Sequence, residues 1–203
     1  MNLKNLNASS KIHKHLLSKL RDKRIYKIYN KFENNLNLKN NFTVAVSGGP
    51  DSLALAFFSK IYSIKKSLNV KYILIDHKLR NNSSAEALFV KNFLKDFLID
   101  LDILKWNGKK PKSNIQSLAR KKRYNLLINQ SKKFKIKYIL FGHHEDDVYE
   151  NFFIRLLRGS GLKGIVSLDK KILINNVNIL RPLINVKKKD LIYISKKVFN
   201  NYI

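Results

Sequence analysis

The chain has 203 residues, 44% of them apolar, and sets 41 Lys+Arg against 14 Asp+Glu for a formal charge of +27. The apolar share supports a buried core and excludes wholesale disorder. No apolar run nears the roughly 20 residues of a spanning helix, so no membrane partner is expected. The absence of cysteine excludes a disulfide scaffold, a Cys-ligated zinc or iron–sulfur site and a catalytic thiol.

Residues 1–41 are polar and rich in Asn and Lys. They read as a basic, helical N-terminal extension with an amphipathic stretch over Ile12–Ile28. The first twenty residues hold no continuous apolar segment, so no secretory signal is read there. The expected location is cytoplasmic, with an organelle stroma or matrix as the lesser alternative. Phe42–Val46 is a short apolar strand, followed at once by Ser47-Gly48-Gly49-Pro50-Asp51-Ser52. Leu53–Leu68 reads as a helix with Leu53, Ala56, Phe57, Ile61 and Ile64 on one face. Val70–Ile75 is a second strand, running into Asp76 and His77. Ser83–Leu98 reads as a helix capped by Ser83, with Glu86 three residues on. Leu101–Trp106 is a third strand, Asn114–Phe134 a long basic helix, and Lys137–Phe141 a fourth strand ending in Gly142-His143-His144-Glu145-Asp146-Asp147. A further helix runs to about Arg158. A Gly159–Gly164 loop, a fifth strand at Val177–Leu180 and a helix from Lys188 complete the chain.

Short, nearly continuous apolar strands alternating with helices predict an α/β fold. We expect a Rossmann-like parallel sheet of about five strands with helices on both faces. Ligands in such folds bind at the carboxyl ends of the strands, so residues 47–52, 76–80 and 142–147 should converge in one crevice.

The hexapeptide Ser47–Ser52, between strand and helix, reads as a phosphate loop. Gly48 and Gly49 permit positive φ and close backbone approach. Pro50 suits the first helical turn, and the free N–H groups there, with two serine hydroxyls, bind phosphate. The loop lacks the Gly-Lys-Ser/Thr of a Walker motif and the third spaced glycine of a dinucleotide fingerprint. Asp51 would repel phosphate unless a cation lay between, so it predicts Mg²⁺. The bland alternative is a tight turn with Asp51 as an N-terminal helix charge. The net charge is the less informative signal. The cations are 33 Lys and 8 Arg, beside 24 Asn and 22 Ile. Drift toward A/T-rich codons would give that composition without selection for a polyanion. The arginines run against such drift, and their planar forks suit phosphate.

Ser47-Gly48-Gly49-Pro50-Asp51-Ser52 resembles the PP-loop of the N-type ATP pyrophosphatases. Within them the chain is similar to the tRNA(Ile)-lysidine synthetase family over about residues 42–192. The matching segments are Ile75–Arg80, Asn114–Tyr124, Gly142–Glu150, Leu156–Gly164 and Arg181–Leu183. The resemblance implies an adenine nucleotide alpha hydrolase-like catalytic domain over 42–203, truncated at its C-terminal end. It implies a ligase that uses ATP to adenylate the wobble cytidine of an isoleucine tRNA with a CAU anticodon, after which free L-lysine displaces AMP to form lysidine. The alternative is a truncated or inactive PP-loop module that binds nucleotide and RNA. Related tRNA thiolases depend on cysteines this chain lacks, and amidotransferase relatives need an ammonia source for which it has no room.

The expected site residues follow. Ser47, Gly48, Gly49, Pro50, Asp51, Ser52, His77, Gly142 and His143 face the nucleotide, and Asp51 and Asp147 hold the metal. Asp51, Asp147, Glu150, Arg120 and Arg123 are the catalytic candidates. Asp147 and Glu150 share a helical face, and the resemblance puts Glu150 on the lysine amine. Helix capping is the alternative for these acids, and a solvated basic face the alternative for Arg120 and Arg123. His143, His144 and Asp147 invite a zinc reading, to which polar contacts with nucleotide or substrate are preferred. Arg181 reads as structural.

Overall fold

The computed structural model describes residues 3–78, 80, 82–106, 115–157 and 169–200. Its strands are β1 (Phe42–Val46), β2 (Val70–Asp76), β3 (Leu101–Lys105), β4 (Tyr138–Leu140), β5 (Lys171–Ile174) and β6 (Val177–Leu180). They form one sheet in the order β3-β2-β1-β4-β6-β5. All neighbours pair in parallel except β5 and β6. The parallel sheet is as expected; the antiparallel edge strand β5 is additional. Asn175 and Asn176 join it to β6 at φ of 49° and 62°. A two-residue hairpin turn needs that left-handed backbone, and Asn tolerates it.

The helices are α1 (Leu3–Ser18), α2 (Lys23–Leu36), α3 (Pro50–Lys66), α4 (Ser83–Lys95), α5 (Ile115–Lys133), α6 (Glu145–Leu157) and α7 (Lys188–Phe199). Side chains alternate across the sheet as strand geometry requires. Val44, Val46, Tyr72, Leu74, Leu140 and Leu180 point into the main core, with α1, α2, α3, α4 and α7. Ile73, Ile75, Ile139, Phe141 and Ile179 point into a smaller core beneath α5. Helices thus cover both faces. Among the described residues no helix is long and apolar enough to cross a membrane.

Three expectations change. Ile12–Ile28 is not one helix: it breaks at a 3₁₀ turn, Lys19–Arg21, and restarts where the Asp22 carboxylate accepts from the Arg24 and Ile25 N–H groups at 2.8 and 3.1 Å. The second piece packs into the main core through Ile25, Tyr29 and Phe32. Ser83 does not cap α4; Asn82 occupies that position, and the Ser83 hydroxyl instead donates to Asp76 at 2.8 Å. Helix α3 buries not one face but every residue from Ser52 to Ser59, between the sheet and α1, α2 and α7. Arg158 and the Gly159–Gly164 loop lie outside the described residues, as does Asn114.

The chain runs from β1 outward to β3 and then returns to the far side of β1 as β4. The carboxyl ends of β1 and β4 therefore flank the topological switch point, where α/β sheets open a crevice.

Candidate active site

The loop after β1 is held from within. The Ser52 hydroxyl accepts from the Ser47 and Gly48 N–H groups, each at 3.1 Å, donates to the Gly49 carbonyl at 2.9 Å and lies 3.2 Å from the Ser47 hydroxyl. It is buried, so it braces the loop rather than reaching outward. Gly48 takes φ of 89° and needs to be glycine. Gly49 does not share that need: it sits at φ −70° as the helix cap, and a Cβ there would touch Ser47 at an ordinary 4.0 Å. Pro50 opens α3 as expected. The N–H groups of Asp51 and Ser52 follow in the first turn, without intrahelical acceptors.

The loop after β4 presses against this one. A Cβ on Gly142 would meet the Asp51 carbonyl oxygen at 3.2 Å, so the glycine permits close approach of two backbones. His144 is buried between two carboxylates, with Nε2 3.5 Å from Asp51 and Nδ1 3.6 Å from Asp147. Burial alone would lower its pKa, but the hydrogen bond to Asp51 and the charges of Asp147, Asp51 and Asp146 outweigh it and raise the pKa. Asp147 also accepts from the His144 N–H at 2.8 Å, the reach-back contact of a capping box. Its capping role and its place beside Asp51 thus coexist.

Between the loops lies a cavity of about 590 Å³, within the range of small-molecule sites. Ser47, Gly48, Gly49, Asp51, Ser52, His77, Gly142, His143, Asp147 and Arg123 all line it. Burial, and then the charge of Arg123, lower the pKa of His77, against the opposing charge of Asp76. Its ring meets Trp106 edge-on at 6.5 Å. Arg123 is half-buried and its Nε lacks a partner. Pro50, Arg120 and Glu150 are not on the wall. Arg120 is exposed, 5.4 Å above the Tyr124 ring, and Glu150 is exposed on α6.

A family model described as the PP-loop domain matches residues 19–203. The chain belongs to the PP-loop family. Curated relatives named tRNA(Ile)-lysidine synthase include those of Orientia tsutsugamushi (strain Boryong), 45% identical over 148 residues, and Wolbachia pipientis wMel, 40% identical over 154. These matches cover 73% and 75% of this chain but 33% and 36% of the relatives. The PP-loop chain thus spans about a third of the length of these relatives. Among solved structures it is similar to the U34-tRNA thiolase NcsA of Methanococcus maripaludis, with TM-score 0.75 at 18% identity, over 89% of this chain and 66% of that one. It is also similar to the FMN adenylyltransferase of Candida glabrata, with TM-score 0.56 at 14% identity, over 91% and 64%. At those identities the likeness is one of fold.

Sequence reasoning put residues 76–80 in the crevice but gave Asp76 and Arg80 no role there. Asp76 is buried at the end of β2, where it accepts from the Lys78 N–H at 2.9 Å and from the Ser83 and Ser84 hydroxyls. It fixes the start of α4, whose Glu86 pairs with Arg80 at 2.8 Å on the cavity wall. The signal was a strand-end Asp followed within one short loop by paired serines. Arg181 is likewise buried beside His143; nothing in its local sequence announces that contact.

Proposed function

We propose that this chain is the nucleotide-binding, catalytic part of a tRNA(Ile)-lysidine synthetase, acting on ATP, isoleucine tRNA with a CAU anticodon and free lysine. The observation that carries the reading is the cavity at the switch point, where a phosphate loop after β1 faces the loop after β4 and Asp147 in the first turn of α6. The names of the curated relatives support it. In this reading the cytidine C2 oxygen attacks the α-phosphorus of ATP, pyrophosphate leaves, and the lysine amine then displaces AMP. Residues 47–51 and the first turn of α3 hold the phosphates. Arg123 stabilises charge at the α-phosphate, Arg120 guides the anion at the cavity mouth, and His77 stands beside the nucleotide. Asp147 and Glu150 receive the lysine amine.

The Asp51 Oδ1 atom is buried without a hydrogen-bond partner. An orphaned carboxylate oxygen beside a phosphate loop suits a divalent cation. Among the described residues no three His, Asp or Glu side chains group to hold a metal alone, but Mg²⁺ needs only one or two carboxylates with phosphate oxygens and water. Asp51 and Asp147 would hold it, and its charge would neutralise the leaving pyrophosphate. The test is ATP-dependent AMP release with transcript isoleucine tRNA, followed by entry of labelled lysine into the RNA. AMP release with lysine incorporation is expected. Binding of nucleotide and RNA with neither event would instead identify a non-catalytic PP-loop module.

A further inference from the structure

His143 lines the cavity, yet one of its ring nitrogens is already engaged. The guanidinium Nε–H of Arg181 donates to His143 Nδ1 at 3.2 Å. Arg181 is 3% exposed and held in turn by the Asp169 carbonyl, which accepts from its Nη1. The imidazole face lies on Phe141, centroids 5.7 Å apart and planes 20° apart, and Phe141 stacks on Tyr124 at 4.7 Å and 12°. The ring is thus fixed in plane and in rotation.

A guanidinium has donors and no acceptor. The nitrogen it faces must therefore offer a lone pair, and in a neutral imidazole the other nitrogen then carries the hydrogen. We propose that Arg181 is a positioning residue that locks His143 as a neutral imidazole with its Nε2–H toward the cavity, a fixed donor to a phosphate oxygen of the nucleotide. His143 so held donates a hydrogen bond but neither accepts nor delivers a proton in the reaction. The surroundings agree. Burial, followed by the charges of Arg181, Arg120, Arg123 and His144, pushes its pKa down to about 3. Cations thus face the ring from α5 and from the segment after β6, with His144 adjacent. His143 and His144, neighbours in the chain, are tuned in opposite directions: one is held by an arginine, the other by two aspartates. The proposal deepens the adenylation reading and rests on it for the identity of the anion.

The decisive measurement needs neither tRNA nor lysine. Nitrogen NMR of the full chain, labelled in histidine, should show His143 with Nδ1 unprotonated and Nε2 protonated from pH 5 to 8, without titrating. Titration near pH 6.5, or a hydrogen on Nδ1, overturns the proposal even if lysidine forms. Arg181→Met removes the donor, whereas Arg181→Gln keeps an N–H without the charge. The Met variant should show the second tautomer, and should lower kcat for AMP release about 10- to 100-fold with a smaller change in KM for ATP. The Gln variant should recover the Nε2–H tautomer and part of kcat. A folded Met variant with an unchanged tautomer would also overturn the proposal. If neither variant folds, the wild-type spectrum decides alone. Loss of lysine incorporation with the tautomer intact would count against the proposed function and leave the lock standing.

Discussion

On one face of the sheet, α3 is buried among aromatic rings. Tyr29, Phe32, Phe58 and Tyr62 meet with centroids 5.5–6.1 Å apart, beneath α1, α2 and α7. The other face has α5 and a smaller cluster, and its polar end carries Arg123 and His143 onto the cavity wall. On the first face the Tyr62 hydroxyl donates to the Leu38 carbonyl at 2.7 Å and accepts from the Leu38 N–H at 2.8 Å. The second leaves Arg123 Nε and His77 Nδ1 buried and unpaired. Unsatisfied buried groups cost stability, and among the described residues both faces carry them: the Ser59, Tyr72 and Ser195 hydroxyls are unpaired in the first, whereas Asp51 Oδ1, His77 Nδ1 and Arg123 Nε belong to residues of the cavity wall, where a bound ligand would meet them. Stability and chemistry should then separate by face under mutation.

Asp51→Ala and Asp147→Ala test that separation most severely. Each is expected to lower AMP release by about 1,000-fold or more while the chain stays folded by circular dichroism. Near-normal release from either variant with Mg²⁺ and tRNA would end the metal assignment. Phe58→Ala is the converse. It should cost about 3–5 kcal/mol in denaturant melts, with KM for ATP unchanged wherever the protein remains folded. Ser52→Ala crosses the boundary, because its hydroxyl braces the loop from inside. A stability loss of about 1–3 kcal/mol should accompany weaker binding of an ATP analogue by calorimetry; weaker binding without that loss would mean the hydroxyl touches the ligand directly.

Acid sharpens the comparison further. The folded pKa of His143 lies below that of the unfolded chain. The unfolded state therefore binds the proton first, and stability present above pH 6.5 should drain away as pH falls toward about 3. His143→Gln should flatten that part of the pH–stability curve in thermal melts. The smallest effect is expected of Glu150→Gln. Because Glu150 is exposed and off the cavity wall, AMP release should be unchanged and only KM for lysine should rise; an unchanged KM would remove Glu150 from the lysine site.

Much of this was legible in the linear sequence. The alternation of apolar runs with helical periodicity gave the parallel strands, because each element's burial pattern is set by its own residues. The phosphate loop was legible because Gly48, Pro50 and the α3 start act through neighbouring backbone. The edge hairpin was overlooked although Asn175 and Asn176, between two short apolar runs, carried its turn. Asp76 was placed in the crevice but left without a role for a related reason: its hydroxyl partners come from the next element.

What the sequence by itself determined is the local chemistry: a phosphate loop between a strand and a helix, acids at the start of another helix, and no thiol. Only the tertiary structure decided how those pieces meet. It turned Ser52 inward and left Glu150 outside the cavity. It set His144 between Asp51 and Asp147, and brought Arg181 from beyond β6 onto His143, 38 positions away in sequence. The physical reason is reach. A cap, a turn or a helical face is fixed by residues a few positions apart. A buried side chain's partner is set by which strands lie side by side, and that order, β1 beside β4 and β4 beside β6, follows from the packing of the whole sheet.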